Sequence, residues 1–346
     1  MNTTLVERIG YRVLVMRAVP VVVGVLGVLW YVWQSPREPV SLQARFFHNA
    51  MLPFASLPFR IPLWTLSETL AMRIQRATMD LMGLVDAKQC SMQLVSRGLF
   101  KFTPKHLEDR ESKELALLYV HGGGHIVGSL KAYKGIVSML ASHLESSVFF
   151  VDYDLAPEHG ITLVDQTNQV IEAIQLLRSQ LGFKKIVLIG DSAGGKLVIL
   201  AAQRMLVETP STPIAAVVAL SPFLITNRTV EDKIPPGVDD RMLSPGLAVF
   251  FNTKSLGTYP PDSPLVNVFK NSFKGFPPLL VHAGTIEFLR QDSLDLVELA
   301  RKQGVRVEFL QGVGMGHIWF TQAPFIPEAT QAVDNIKTFL DPFKSA

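Results

Sequence analysis

Three residue types able to cooperate in nucleophilic catalysis occur in order along the chain. They are a serine within Gly190-Asp191-Ser192-Ala193-Gly194, a carboxylate at Glu287 and a histidine at His317. A serine hydroxyl is a weak nucleophile until a base takes its proton, and that base must be oriented by a third group. Ser192 lies where a strand pattern gives way to a helix pattern: 186–189 is a β-branched apolar run, and 196–206 is apolar at helical spacing. G-x-S-x-G in that setting predicts a nucleophile elbow, a strained turn that lifts the hydroxyl above a sheet while Gly190 and Gly194 leave room for neighbouring backbone. The amide of Ala193, at the helix N-terminus, then faces an attacked carbonyl. For these five residues alone, an ordinary glycine-rich strand-to-helix turn is the plain alternative.

The motif has companions. His121-Gly122-Gly123-Gly124 ends an apolar run at 115–120, and its glycine amides are candidate donors to an oxyanion. Glu287 follows the apolar run 279–283, and His317 closes a glycine-rich loop after 306–310. With those roles, His317 takes the Ser192 proton and returns it to a leaving alcohol, while Glu287 fixes the imidazole tautomer. Asp292 is the rival acid, but it falls within the next helical pattern. Asp191 adjoins the serine and points elsewhere in an elbow. His121 is expected to hold the shape of its loop, and His282, inside a strand pattern, to be a core histidine. His125 and His159 border the pocket or simply occupy loops.

These residues need elements to carry them. Alternation predicts a strand over 92–102, then a charged loop to 114. Strands are expected at 115–120, 148–152, 215–220, 279–283 and 306–310, and helices at 133–144, 163–181, 289–303 and 326–340, with 222–278 irregular. Strands alternating with helices imply right-handed crossovers and a mostly parallel sheet covered on both faces, a doubly wound α/β domain. Residues 42–92, interrupted by Pro53, Pro58 and Pro62, read as an α-helical cap, with helical spacing over 66–84 and Ser67 as N-cap. Phe46, Phe47, Phe54, Phe59 and Trp64 are expected to pack, with an acyl pocket or lipid contact as the alternative.

The 346 residues are 48% hydrophobic with a net charge of +3, and the basic residues are scattered, which points away from nucleic acid. Cys90 is the one cysteine, so no intrachain disulfide forms, and no Cys/His spacing suits zinc. Residues 13–33 carry a single charge, Arg17, are long enough to span a bilayer and end in Trp30, Tyr31 and Trp33. A cleaved signal peptide is the rival, but 30–34 offers no small-x-small site. Arg8, Arg12 and Arg17 outweigh Arg37 and Arg45, predicting a cytosolic N-terminus with the rest of the chain beyond the membrane. The expected organisation is a tail and signal-anchor helix over 1–36, a cap segment over 37–92 and an α/β domain over 93–346, with 222–262 contributing to the cap. Asn227-Arg-Thr229 is an N-glycosylation acceptor pattern.

His121-Gly-Gly-Gly124, Asp152-Tyr-Asp-Leu-Ala-Pro-Glu158, Gly190-Asp-Ser-Ala-Gly-Gly195, Gly284-x-x-Glu-x-Leu289 and Gly316-His317 together resemble the hormone-sensitive-lipase-like branch of the α/β-hydrolases. The resemblance covers about 115–340. It implies an α/β-hydrolase fold and a serine ester hydrolase with a cap built partly from the N-terminal segment. It also implies no metal or organic cofactor. Asp154 stands where that family usually has arginine, Lys196 where asparagine is common, His125 where an aromatic is usual, and Glu287 is a longer acid than aspartate. The function expected is membrane-anchored hydrolysis of short acyl esters of a lipophilic alcohol. Acyl transfer and a non-catalytic ligand receptor on the same scaffold are the alternatives, though a receptor has no need of both His317 and Glu287.

Overall fold

The computed structural model describes residues 40–46, 73, 76–77, 79–80, 88–108, 112–209, 213–224, 238–240 and 242–344. The span expected at 13–33, most of the expected cap and Asn227 lie outside these residues. Among the described residues, no helix is long and apolar enough to cross a membrane.

Among the described residues, eight strands form one sheet: β1 (Cys90–Ser96), β2 (Leu99–Pro104), β3 (Leu115–Val120), β4 (Val148–Val151), β5 (Lys185–Asp191), β6 (Ala216–Leu220), β7 (Leu279–Gly284) and β8 (Val307–Gly312). Their order is β1-β2-β4-β3-β5-β6-β7-β8. β1 and β2 are antiparallel to their neighbours, and β4 through β8 pair in parallel. The central strands are continuous apolar runs because both faces are covered, and β4, β6 and β7 are buried at every position.

Among the described residues, six longer helices flank the sheet or its edge: α1 (Leu130–Leu144), α2 (Leu163–Ser179), α3 (Ala193–Glu208), α4 (Pro245–Leu256), α5 (Arg290–Lys302) and α6 (Pro327–Lys344). Local chemistry starts several of them. Ser129 caps α1 by accepting from the Ala132 amide, and Thr162 with Asp165 forms a capping box on α2. On one face, α1 and α6 pack through Val137, Leu140, Ile336 and Leu340; on the other, α2, α3 and α5 pack through Ile174, Leu197 and Leu296. Each such fully buried aliphatic contributes about 1.5–3 kcal/mol relative to exposure. A smaller apolar cluster, including Ile126, Val127, Phe223, Phe251 and Phe288, covers the ends of the parallel strands. It puts a roof over the edge where ligands bind in this class of sheet.

Two expectations change. The single strand expected over 92–102 is a hairpin, because Gly98 at φ +70° reverses the chain between β1 and β2. The stretch expected to be irregular over 222–278 contains α4, which starts with Ser244 as N-cap and Pro245 in its first turn.

Candidate active site

Five loops meet at the carboxyl ends of β3, β5, β6, β7 and β8. Ser192 follows β5 directly, at φ +50° and ψ −117°, a strained conformation for a residue with a side chain. Its amide donates to the Leu220 carbonyl at 2.9 Å, and its carbonyl accepts from the Phe223 amide at 2.8 Å, so β6 holds the turn in place. Gly194 lets α3 start against the end of β3: a Cβ there would lie 2.0 Å from the Val120 carbonyl oxygen.

His317 Nε2 lies 2.9 Å from Ser192 Oγ. With the proton on Nδ1, Nε2 accepts from the serine hydroxyl. Nδ1 faces Glu287 Oε2 at 3.6 Å, an ion-pair distance longer than a hydrogen bond. Glu287 is fully buried, and Ser192 and His317 are 7% and 5% exposed. The rival acid is elsewhere: the charge of buried Asp292 acts on Lys196. Burial pulls the Lys196 amine down to about 7, and Asp292 opposes that shift.

Charge in the site favours a protonated imidazole. Burial alone lowers the His317 pKa, but Glu287, and after it Asp240 and Asp191, outweigh it, so the net direction is upward. Glu287 is itself raised, chiefly by burial, against the lowering effects of His317 and Ser221. The arrangement can therefore take a proton from Ser192 and hold it on the imidazole.

Ser221, which no sequence pattern singled out, is a further member of the site. At φ +47° and fully buried, its hydroxyl donates to Glu287 Oε2 at 2.7 Å and accepts from the Ile318 amide at 3.1 Å. One hydroxyl thus ties the acid to the loop that carries the base. Ser221→Ala is expected to lower kcat about tenfold with KM little changed, because it loosens positioning rather than binding. Steady-state kinetics on p-nitrophenyl butyrate check this, and an unchanged kcat would remove Ser221 from the site.

The glycine loop divides into an anchored residue and open ones. Gly122 donates to Asp191 Oδ1 at 3.0 Å and lies 3.1 Å from the Tyr133 hydroxyl. Tyr119 and Tyr133 donate to the same carboxylate at 2.7 and 3.0 Å. The expectation that Gly122 supplies an oxyanion donor is corrected here, because its amide is already engaged. The available donors narrow to Gly123, Gly124 and Ala193, whose amides make no hydrogen bond among the described residues. Asp191 points away from the nucleophile, as expected of an elbow, and burial pushes its carboxyl up to about 6 against the hydrogen bonds from Tyr119 and Tyr133.

The other histidines have structural surroundings. His121 stacks on Tyr153 at 4.1 Å, and its Nδ1 lies 2.7 Å from the Gly122 carbonyl, fixing the loop. His282, in β7, pairs with Asn335 at 2.8 Å and is lowered to about 4 by burial. His125 is buried at φ +71° with Nδ1 2.9 Å from Gln166 Oε1, and Gln166 donates back to the His125 carbonyl. The side chain of His159 lies outside the described residues. Asp154 is exposed and bonded to Gln169, while its neighbour Tyr153 donates to the His121 carbonyl, so the loop stays packed despite the missing arginine. Among the described residues, no group of three or more metal-ligating side chains comes together.

Comparison with known proteins gives a consistent picture. A family profile described as alpha/beta hydrolase fold matches residues 117–321. An esterase of Acinetobacter venetianus is 30% identical over 237 residues, spanning 68% of this chain and 77% of its own length. A carboxylesterase/phospholipase LipF of Mycobacterium tuberculosis is 30% identical over 233 residues, 65% of this chain and 61% of its own. An acetyl-hydrolase of Streptomyces hygroscopicus is 28% identical over 235 residues, 65% and 74% respectively. Among solved structures, a mutant esterase superposes with a TM-score of 0.75 at 26% identity over 85% of this chain and 98% of its own. An esterase from the bacterial hormone-sensitive lipase family gives 0.73 at 24% identity, over 85% and 97%, a likeness that speaks for the fold.

Proposed function

Because the chain belongs to the α/β-hydrolase fold family and is a carboxylic ester hydrolase, we propose that it is a hormone-sensitive-lipase-like member that cleaves short acyl esters of a lipophilic alcohol through an acyl-enzyme on Ser192, at a membrane. The 2.9 Å approach of His317 Nε2 to Ser192 Oγ, with Glu287 behind the imidazole, supports this reading most strongly.

In this mechanism Ser192 Oγ attacks the ester carbonyl carbon as His317 Nε2 takes its proton. Carbonyl electrons move to oxygen, and the amides of Gly123, Gly124 and Ala193 stabilise that oxyanion. The carbon–oxygen bond to the alcohol breaks, and the leaving oxygen receives the proton from His317. Water, giving a proton to the same imidazole, then attacks the acyl carbon; the bond to Ser192 Oγ breaks, Oγ takes the proton back from His317, and the acid leaves. Glu287 stabilises the imidazolium of both half-reactions. Transfer of the acyl group to another acceptor would share the first half and differ only in the second nucleophile.

A short acyl group is supported by the close roof over the site, where Phe251 of α4 presses on Gly124, and by the acetyl-hydrolase among the relatives. Anchoring is supported by the sequence over 13–33, with one charge and a terminal aromatic cluster. In this topology 1–36 is tail and anchor, 37–92 cap, and 93–346 the catalytic domain, luminal and facing the endoplasmic reticulum interior in a eukaryotic cell, where Asn227 would be available for glycosylation.

Hydrolysis of an acetyl-to-decanoyl series of p-nitrophenyl esters by the detergent-solubilised protein tests the proposal. A maximum at acetyl or butyryl is expected. A maximum at long chains would overturn the short-acyl part, and no turnover by a folded protein would overturn the catalytic assignment.

A further inference from the structure

The backbone on both sides of Glu287 is gripped by two consecutive residues of a distant segment. The Asp239 amide donates to the Ile286 carbonyl at 3.0 Å, and Asp240 Oδ2 accepts from the Phe288 amide at 2.9 Å. The other oxygen of the same carboxylate, Oδ1, accepts from the amides of Met242 and Leu243 at 2.9 and 3.0 Å. That turn delivers the chain to Ser244, the N-cap of α4. At its far end α4 meets another element, since Gly257 lies against Thr162. Between these points Phe251 lies on Gly124 of the oxyanion loop. One half-buried carboxylate therefore joins the roof of the site to the loop bearing the acid.

We infer that Asp240 is a positioning residue for the Glu287–His317 pair, fastening the acid loop to the roof and adding a second negative charge behind the imidazolium. The inference rests on the proposed function, because it assigns Asp240 a part in the same proton transfer. Neither the elbow nor the sheet supplies this link. β7 ends at Gly284 and α5 begins at Arg290, so 285–289 depends on side contacts to hold Glu287 in place.

The charged groups facing the pair come from four elements. Glu287, Asp240 and Asp191 act on His317, and His317, the Ser221 hydroxyl and Asp240 act on Glu287. Asp240 favours protonation of both: it raises His317 against burial, in the same direction as Glu287, and adds to the effect of burial on Glu287. Its charge thus supports the imidazolium that forms during turnover, while its hydrogen bonds hold the geometry.

The test is the pH profile of kcat/KM for p-nitrophenyl butyrate with the full chain. Hydrolysis needs the neutral imidazole, so the rate rises with pH through the His317 pKa. Asp240→Asn removes a negative charge, makes the imidazolium less favourable and is expected to move the acid limb roughly half a pH unit lower. Its single amide oxygen satisfies only one of the two sets of donors, so the plateau kcat falls about threefold or more. Asp240→Glu, which keeps the charge, retains the wild-type acid limb. Should the amide variant fail to fold, Asp240→Ser keeps an acceptor for the Met242 turn and is expected to give the same movement. An active, Ser192-dependent enzyme whose acid limb is unmoved in Asp240→Asn or Asp240→Ser would overturn the inference. Ester hydrolysis that is absent, or that survives Ser192→Ala, would instead overturn the reading beneath it.

Discussion

Ser192→Ala is expected to reduce kcat for p-nitrophenyl butyrate by a factor of about ten thousand or more, leaving a folded protein. Removal of Oγ leaves no atom to form the acyl-enzyme, and His317 Nε2 loses the partner it holds at 2.9 Å. The fold has little reason to change. Alanine bears the φ of +50° no worse than serine, and the turn is held by backbone hydrogen bonds to Leu220 and Phe223. His317→Ala is expected to cost a similar factor, and the double variant little more, because the two groups act as one unit. A fluorophosphonate probe gives an independent readout: mass spectrometry should find one adduct on the wild type and none on Ser192→Ala. Comparable turnover in the variant would move the nucleophile elsewhere.

Gly124→Ala is the second large effect. A Cβ at this position would lie 2.2–2.7 Å from ring carbons of Phe251, well inside contact distance. The φ of +59° alone would cost an alanine about 1–2 kcal/mol. The larger consequence is displacement of an amide proposed to hold the oxyanion, and losing one such donor typically costs a hundred- to a thousandfold in kcat, or about 3–4 kcal/mol. Adding Phe251→Ala removes the ring that the methyl group meets. The pair should therefore be non-additive, with the double variant recovering about tenfold in kcat over Gly124→Ala alone. Strict additivity would mean that the damage comes from the backbone and not from the contact between roof and loop.

Sequence reasoning reached the groups whose positions follow from chain order and strand ends. Ser192 is announced by its glycines and by the strand before it, and Glu287 and His317 each follow an apolar run that can only be a buried strand. The outlines of β3 and of α2 were readable for the same reason, since periodicity and capping are local. What stayed hidden depends on contacts between segments far apart in the chain. Ser221 reads as an ordinary serine after a strand, and only the packing of β6 between β5 and β7 brings it to Glu287. Nothing near Gly122 reveals that its amide turns toward Asp191, because the partner is supplied 69 positions later. Asp240 was invisible for a related reason: the turn it opens is local, but the Phe288 amide it accepts is not. The helix α4 is different. Its Ser244-Pro245 start was a legible signal, obscured by the prolines around it.

The strand order has a consequence for how the protein comes into being. From β5 onward, each new strand is laid beside the previous one in the order of synthesis, so the sheet grows toward one edge as the ribosome advances. The nucleophile and the carboxylate that anchors its glycine loop belong to the part made first. Acid and base arrive on the last two strands. Until β8 is in place Ser192 lacks its base, so hydrolytic competence depends on the last strand of the sheet. A chain ending before β7 would lack both Glu287 and His317 and is expected to show no ester hydrolysis.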